Sequence, residues 1–342
     1  MKKLSKSYIV PSAAFSLRTK SIAGYDKVQK DPEVGDVAFG EIVRIGQHGT
    51  LENTSGRIHS SHTGTKALFV FGNRYAPDYY EALLPDTFPG QIDLVARSGL
   101  ISNVIAKNEL IKDPTRVKLH GYVVDSKGKV LNTRNTPVLI PKEEKKTKKA
   151  RAKLILVVGT AMNAGKSLAA SAAVWALHTM GYHVRGSKVT GTASLQDILR
   201  MNDAGAEHYC DFTHLGYPST YMLSEDELLH IFNTIDLKYG NNASNYWVVE
   251  FADGILQRET AMLLSHPDVQ SRIHKLVFAA HDAFGAVGGL QVLKERFNLK
   301  PDAISGVCSS SPLHIRELNE FTDLPVYNSA APDLNQLAKI LV

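Results

Sequence analysis

The stretch Leu154-Ile-Leu-Val-Val-Gly-Thr-Ala-Met-Asn-Ala-Gly-Lys-Ser167 decides the reading of the chain. Its first five residues form a short apolar, β-branched run with the length of a buried parallel strand, and a glycine-containing loop follows and leads into an Ala/Leu-rich helix. That order gives a phosphate-binding loop. The backbone N–H groups of residues 161–167 can wrap a polyphosphate, and the positive end of the helix opening near Lys166 faces the same anion. Lys166 then reaches the terminal phosphates, and the Ser167 hydroxyl takes a Mg2+ position. The residues expected to hold the nucleotide are Gly159, Thr160, Asn163, Ala164, Gly165, Lys166, Ser167 and Leu168. The common pattern G-x-x-x-x-G-K-[ST] is met except at its first position, where Thr160 stands and Gly159 comes one residue earlier.

Downstream the text alternates strands with helices. Leu168 to Met180 has helical spacing and is stopped at Gly181; Tyr182 to Lys188 reads as a second strand, so strand, helix and strand make a right-handed parallel crossover. This delivers Lys188 to the carboxyl edge of the sheet, where ligands of open α/β sheets sit. Asn245-Tyr-Trp-Val-Val-Glu250 is a further buried strand ending in an acid, which suits a second anchor for hydrated Mg2+. Lys275 to Ala280, Ala303 to Val307 and Leu324 to Tyr327 complete the set. The second half is therefore expected to be a doubly wound α/β domain.

The first half differs. Asp36-Val-Ala-Phe-Gly-Glu-Ile-Val-Arg-Ile-Gly46 alternates apolar and polar residues, and Gly49-Thr-Leu-Glu-Asn and Gly56-Arg-Ile-His follow with glycine turns, the signature of a small antiparallel barrel. Residues 67–75, 92–96 and 117–124 read as further strands, Asp125-Ser-Lys-Gly-Lys129 as a hairpin turn, and Ala76 to Pro85 as a proline-started helical turn. Small barrels of this kind bind oligonucleotides or serve as docking scaffolds, and the sequence leaves both open. Between the halves, Pro141-Lys-Glu-Glu-Lys-Lys-Thr-Lys-Lys-Ala-Arg-Ala-Lys153 reads as a solvated basic linker; it has no interleaved aromatic residue for base stacking, so nucleic acid is weakly supported. The expected division is residues 1–141, linker 142–152 and 153–342.

Composition bounds the rest. A chain of 342 residues with 44% hydrophobic and 21% charged residues has room for two cores, and its net charge of +5 is too small to argue for nucleic acid. Cys210 and Cys308 have no metal spacing and suggest no disulfide, which fits a reducing cytoplasm. No run of 18 apolar residues is present, so no membrane span is expected. The apolar stretch near the start is interrupted by Pro11 and Ser12, unlike a signal peptide.

Over roughly residues 153–330 the chain resembles the dethiobiotin synthetase-like branch of P-loop NTPases. Gly159-Thr-Ala-Met-Asn-Ala-Gly-Lys-Ser167 is similar to that branch's Gly-Thr-x-x-x-x-Gly-Lys-Thr, Gly181 to Lys188 to its second strand, Leu199-Arg-Met-Asn-Asp203 to a segment whose aspartate helps hold metal, and Val248-Val-Glu250 with Asp253-Gly254 to its Val-Glu-Gly-x-Gly. Phe251 replaces a glycine, Cys308 and Ser309 stand where an adenine-reading Asn is common, and a β-rich domain precedes the core. The resemblance implies Mg2+ and ATP as cofactors, with metal at Ser167, Asp203 and Glu250, catalytic roles for Lys166, Lys188 and Glu250, and a homo-oligomer, a dimer in that branch. It implies phosphoryl transfer that activates a small carboxylate-like acceptor. The alternatives are a nucleotide-driven switch and a nucleic-acid-binding ATPase using the barrel. No N/T-K-x-D guanine signature occurs near Ala279-Ala-His-Asp282, so ATP is expected over GTP.

Overall fold

The computed structural model describes residues 1–5, 7–139 and 151–342. It divides into two compact units, Met1–Ile140 with Thr192–Gln196 and Phe212–Met222, and Pro141–Gly191 with Asp197–Asp211 and Leu223–Val342.

The first unit carries strands β1 Gly24–Asp26, β2 Val37–Arg44, β3 Thr50–Glu52, β4 Ile58–Ser60, β5 Lys66–Phe71, β6 Arg74–Tyr75, β7 Tyr80–Leu83, β8 Gln91–Leu94, β9 Leu100–Lys107 and β10 Thr115–Val124. Strand β10 pairs with β2, β2 with β5, β5 with β9, β9 with β8, and β8 returns to β10. A closed five-stranded barrel results, with β1 added on β10 and β7 with β6 added on β9 outside the ring. Its interior is filled by the inward residues of the alternating pattern, among them Ala38, Ile42, Phe69, Phe71, Ile92, Leu94, Ile101 and Val117. The hairpin turn after β10 forms as expected, with Asp125 N–H donating to the Lys129 carbonyl at 3.0 Å.

Two expectations fail here. Residues 76–85 do not make a helical turn: β7 pairs antiparallel with β6 and β9, because Tyr80 and Ala82 are buried at period two and proline at 77 serves the connecting turn instead. The boundary is also not a single cut. Segments from the second half belong to the first unit, where Leu195 N–H donates to Glu52 Oε1 at 2.7 Å, Thr133 Oγ1 to the Gly216 carbonyl at 2.7 Å and Tyr221 OH to Glu81 Oε1 at 2.6 Å. These are non-local hydrogen bonds, invisible to a composition scan.

A half-buried histidine in this unit makes its stability pH-dependent. The His48 ring packs on Tyr79 and Tyr80, and its Nε2 lies 3.0 Å from Arg74 Nη1. Burial, with the Arg74 charge adding to it, pushes the imidazole down to about 3, so the ring is neutral and Nε2 accepts. A folded-state pKa below the unfolded value of about 6.5 means this stability is present above pH 6.5 and is lost as pH falls toward 3. The expected slope from this residue is about 1.4 kcal/mol per pH unit in that window. Denaturant unfolding of the wild type and His48→Gln between pH 7.5 and 4.5 checks it, and equal slopes in the two proteins would refute the assignment.

The second unit has one six-stranded parallel sheet, β11 Lys153–Gly159, β12 His183–Lys188, β13 His208–Asp211, β14 Asn245–Glu250, β15 Ile273–Ala279 and β16 Ala303–Ser305, in the order β13-β12-β14-β11-β15-β16. Residues 324–327 add only a single bridge, Ile304 to Val326, beyond this sheet. Helices α1 Lys166–Thr179, α2 Leu195–Asp203, whose first two residues count with the first unit, and α3 Glu225–Tyr239 and the later helices fill the connections. Alanines let α1 sit close to its neighbours: Ala169, Ala170, Ala172, Ala173 and Ala176 are all buried in one cluster with Leu337, Ile340 and Leu341 of the C-terminal helix. Among the described residues no helix is long and apolar enough to cross a membrane.

The expected linker lies mostly outside the described residues, but its last two positions do not behave as linker. Ala152 is buried, and Arg151 donates to the Asp236 carboxylate and carbonyl, each at 2.9 Å, and to the Gly240 carbonyl at 3.3 Å. Arg272 holds the other side of Asp236 at 3.0 to 3.2 Å and reaches the Ala152 carbonyl at 3.1 Å. Arg151 therefore belongs to the packed part of the second unit, in an Arg–Asp–Arg cluster in which Asp236 is 4% exposed.

Candidate functional site

The carboxyl ends of β11, β12 and β14 bring the expected residues together. Lys188 and Glu250 are register partners in adjacent strands, and Glu250 pairs in turn with Val157, two residues before the end of β11. A cavity of about 340 Å3 opens there, lined on one side by Asn163, Gly165, Lys166, Ser167 and Leu168 and on the other by Lys188, Asp197, Arg200, Glu250 and Asp253. It lies wholly within the second unit.

The loop is held from behind. Asn163 and Gly165 both adopt left-handed backbone, with φ of 59° and 94°. A Cβ at Gly165 would come within 2.8 Å of the Gly306 Cα, and one at Gly306 would lie 2.2 Å from the Ala164 carbonyl oxygen, so two glycines meet where the turn after β16 braces the loop. Val307 N–H donates to the Ala164 carbonyl at 3.1 Å across the same contact. Gly159, Thr160 and Ala164, expected to bind nucleotide, do not line the cavity; they end the strand and anchor the loop, with Thr160 N–H donating to Ala279 and Ile255 N–H to Gly159.

The cavity holds one close ion pair, Lys188 with Asp197, beside a lysine bonded to the backbone and a buried glutamate. Lys166 is buried and its Nζ donates to the Ala161 carbonyl at 2.7 Å; burial lowers its pKa, against the pull of Glu250 and Asp253. Lys188 meets Asp197 at 2.5 Å, and although burial alone would lower it, the Asp197 and Glu250 charges outweigh that and raise its pKa. Asp197 Oδ1 also accepts from the Ser167 hydroxyl at 3.4 Å. Glu250 is 2% exposed, and its Oε2 has no hydrogen-bond partner. Burial raises its pKa, Lys188 and Lys166 oppose the rise, and Asp197 adds to it. A buried carboxylate oxygen without a partner, on a residue that lines a polar cavity, is a costly arrangement.

Asp203 is the one expected metal residue that the structure does not bring to the site. It is exposed at the last position of α2 and does not line the cavity. Asp197, six residues earlier in the same helix, lines the cavity instead. Leu195, Ile198 and Met201 are buried at a spacing of three and turn Asp197 and Arg200 toward the adjacent face. The stripe is legible in the sequence, but Asp197, Arg200 and Asp203 recur at the same spacing of three, so it does not choose between the two acids; only the cavity lining does.

A phosphate loop after the central strand, an acid ending the neighbouring parallel strand and helices in the crossovers define this unit. Its fold is that of a P-loop NTPase. No family model and no curated protein matches the sequence. Among solved structures the chain is similar to the signal recognition particle receptor FtsY from Elizabethkingia anophelis in complex with GDP, at 13% identity and a TM-score of 0.39 over 62% of this chain and 71% of that one. FtsY from Mycoplasma mycoides (11%, TM-score 0.34, 57% and 69% covered) and chloroplast FtsY from Physcomitrella patens (10%, 0.37, 59% and 69%) are similar at the same level. Likeness of this degree concerns backbone shape, not chemistry.

Proposed function

We propose that the second unit binds a Mg2+–nucleoside triphosphate, ATP in preference to GTP, and transfers its terminal phosphoryl group to a small carboxylate-like acceptor in the manner of dethiobiotin synthetase. The observation that carries this reading is the convergence of the loop, two lysines, the Ser167 hydroxyl and the orphaned Glu250 oxygen on one cavity. Phosphoryl transfer needs positioning and charge neutralisation more than a strong base, and this cavity offers both. In the step, an acceptor carboxylate oxygen attacks the terminal phosphorus. A new O–P bond forms as the bond to the bridging oxygen breaks, and its electron pair leaves on the nucleoside diphosphate.

The donor set fits Mg2+. Ser167 and Glu250 line the cavity with hard oxygen donors and would hold the ion together with phosphate oxygens and water, while Asp197 accepts from the Ser167 hydroxyl. When bound, the ion supplies charge compensation for the phosphates. Lys166 and the loop N–H groups hold the phosphates, Lys188 sits between them and the acceptor, and Asp197 keeps Lys188 charged and aimed.

Asp197→Asn is expected to reduce Mg2+-dependent turnover by roughly ten- to a hundredfold while nucleotide still binds, because the amide loses the charge that orients Lys188 and Ser167. Asp203→Asn should leave turnover unchanged. Phosphate release from ATP by the full chain, with and without a small-molecule metabolite fraction, measures both and tests the function itself: the fraction should accelerate release in the wild type. Failure of Mg2+–ATP and Mg2+–GTP to bind at all would overturn the reading, and slow turnover indifferent to the fraction would replace the acceptor with a nucleotide-driven switch.

A further inference from the structure

We propose that Arg200 is the third cation of the phosphate site and engages the terminal phosphate of the bound nucleotide from the α2 side, a role that rests on the nucleotide-binding reading above. Three cations and three acids line the cavity, Lys166, Lys188 and Arg200 against Asp197, Glu250 and Asp253. Two of the cations are engaged, Lys188 with Asp197 and Lys166 with the Ala161 carbonyl. Among the described residues the Arg200 guanidinium forms no hydrogen bond and no ion pair, although it lines the same cavity. Three residues along a helix is about 4.5 Å of rise and less than one full turn, so Arg200 shares the face from which Asp197 already reaches Lys188 and Ser167. Arg200 therefore extends the charged face of α2 toward the open side of the cavity.

Charge balance gives this position its purpose. A nucleoside triphosphate brings about four negative charges and Mg2+ removes two, so the remainder must be met by the loop and by protein cations. The carboxylates around Lys166 and Lys188 offset much of what those two can offer. A guanidinium matches phosphate oxygens with two parallel N–H groups, which an ammonium does not. It is also the group best suited to charge that grows on the terminal phosphate during transfer. A diphosphate presents no group at that place, so Arg200 distinguishes triphosphate from diphosphate. The opposing explanation is that Arg200, in the last turn of α2, only complements the helix dipole.

Calorimetric titration of the full chain with ADP and with the β,γ-imido analogue of ATP, each with Mg2+, and with the guanine counterparts, separates these. Arg200→Gln should weaken the imido triphosphate by on the order of tenfold and leave the diphosphate within about twofold, and Arg200→Lys should recover part of the loss. Equal losses for both ligands, no loss for either, or a lowered melting temperature with the triphosphate-to-diphosphate ratio unchanged would each overturn the proposal. Wild-type protein that binds none of the four nucleotides would overturn the phosphate site itself, and this role with it; the Arg200 assignment fails alone only when the wild type binds.

Discussion

Lys166→Ala is expected to lower nucleotide affinity by at least a hundredfold without lowering the stability of the fold. The side chain's contribution is a charge-assisted contact to phosphate, worth about 3 kcal/mol or more where water is excluded, and its loss appears only when ligand is present. In the free protein the same ammonium is buried with its pKa pushed down by that burial, so the folded state carries a cost for keeping it charged. A pKa lowered on folding signifies that charging opposes folding below that pKa, so the alanine variant relieves this cost and gives up one hydrogen bond to the Ala161 carbonyl in exchange. Its melting temperature should be unchanged or higher. Fluorescence or calorimetric titration beside a thermal melt reads both quantities, and undiminished affinity would remove the loop from the site.

Asp236→Ala is the substitution with the largest expected effect on stability, about 3–5 kcal/mol against the second unit, because it leaves two largely buried guanidinium groups without their shared carboxylate. Arg151 already has its pKa lowered by burial, with Arg272 pushing the same way and only Asp236 opposing. Replacing all three members, Arg151→Met, Asp236→Leu and Arg272→Met, should restore most of the loss, since removing buried charges together leaves none uncompensated. Urea unfolding followed by the fluorescence of Trp175 and Trp247 measures the series; a loss below about 1 kcal/mol for Asp236→Ala would mean that water replaces the carboxylate.

The sequence was most readable where local pattern and chemistry coincide. The strand, loop and helix of residues 154–179 and the acids and lysines ending β12 and β14 are set by short apolar runs and by glycines, and each falls where these patterns place it. Less readable was anything set by distant partners. Strand β13 was not anticipated because His208-Tyr-Cys-Asp211 is too short and polar to stand out without β12 beside it. Arg151 looked like one more member of a basic run, and only Asp236 and Arg272 distinguish it from its neighbours. Asp203 was assigned to the metal by matching a family segment; it shares the spacing of three with Asp197 and Arg200, and only the cavity lining separates it from them.

The paired glycines at 165 and 306 have a consequence for anyone mapping this site by mutation. Residue 306 does not line the cavity, yet any side chain there must displace the Ala164 carbonyl and, through it, the inner wall of the loop. A saturation library scored for nucleotide retention would return position 306 with the same severity as position 165. Taken as a footprint, such hits would draw the binding surface one strand too wide, and the error would be recognised only because substitutions at 306 fall in order of bulk rather than of charge.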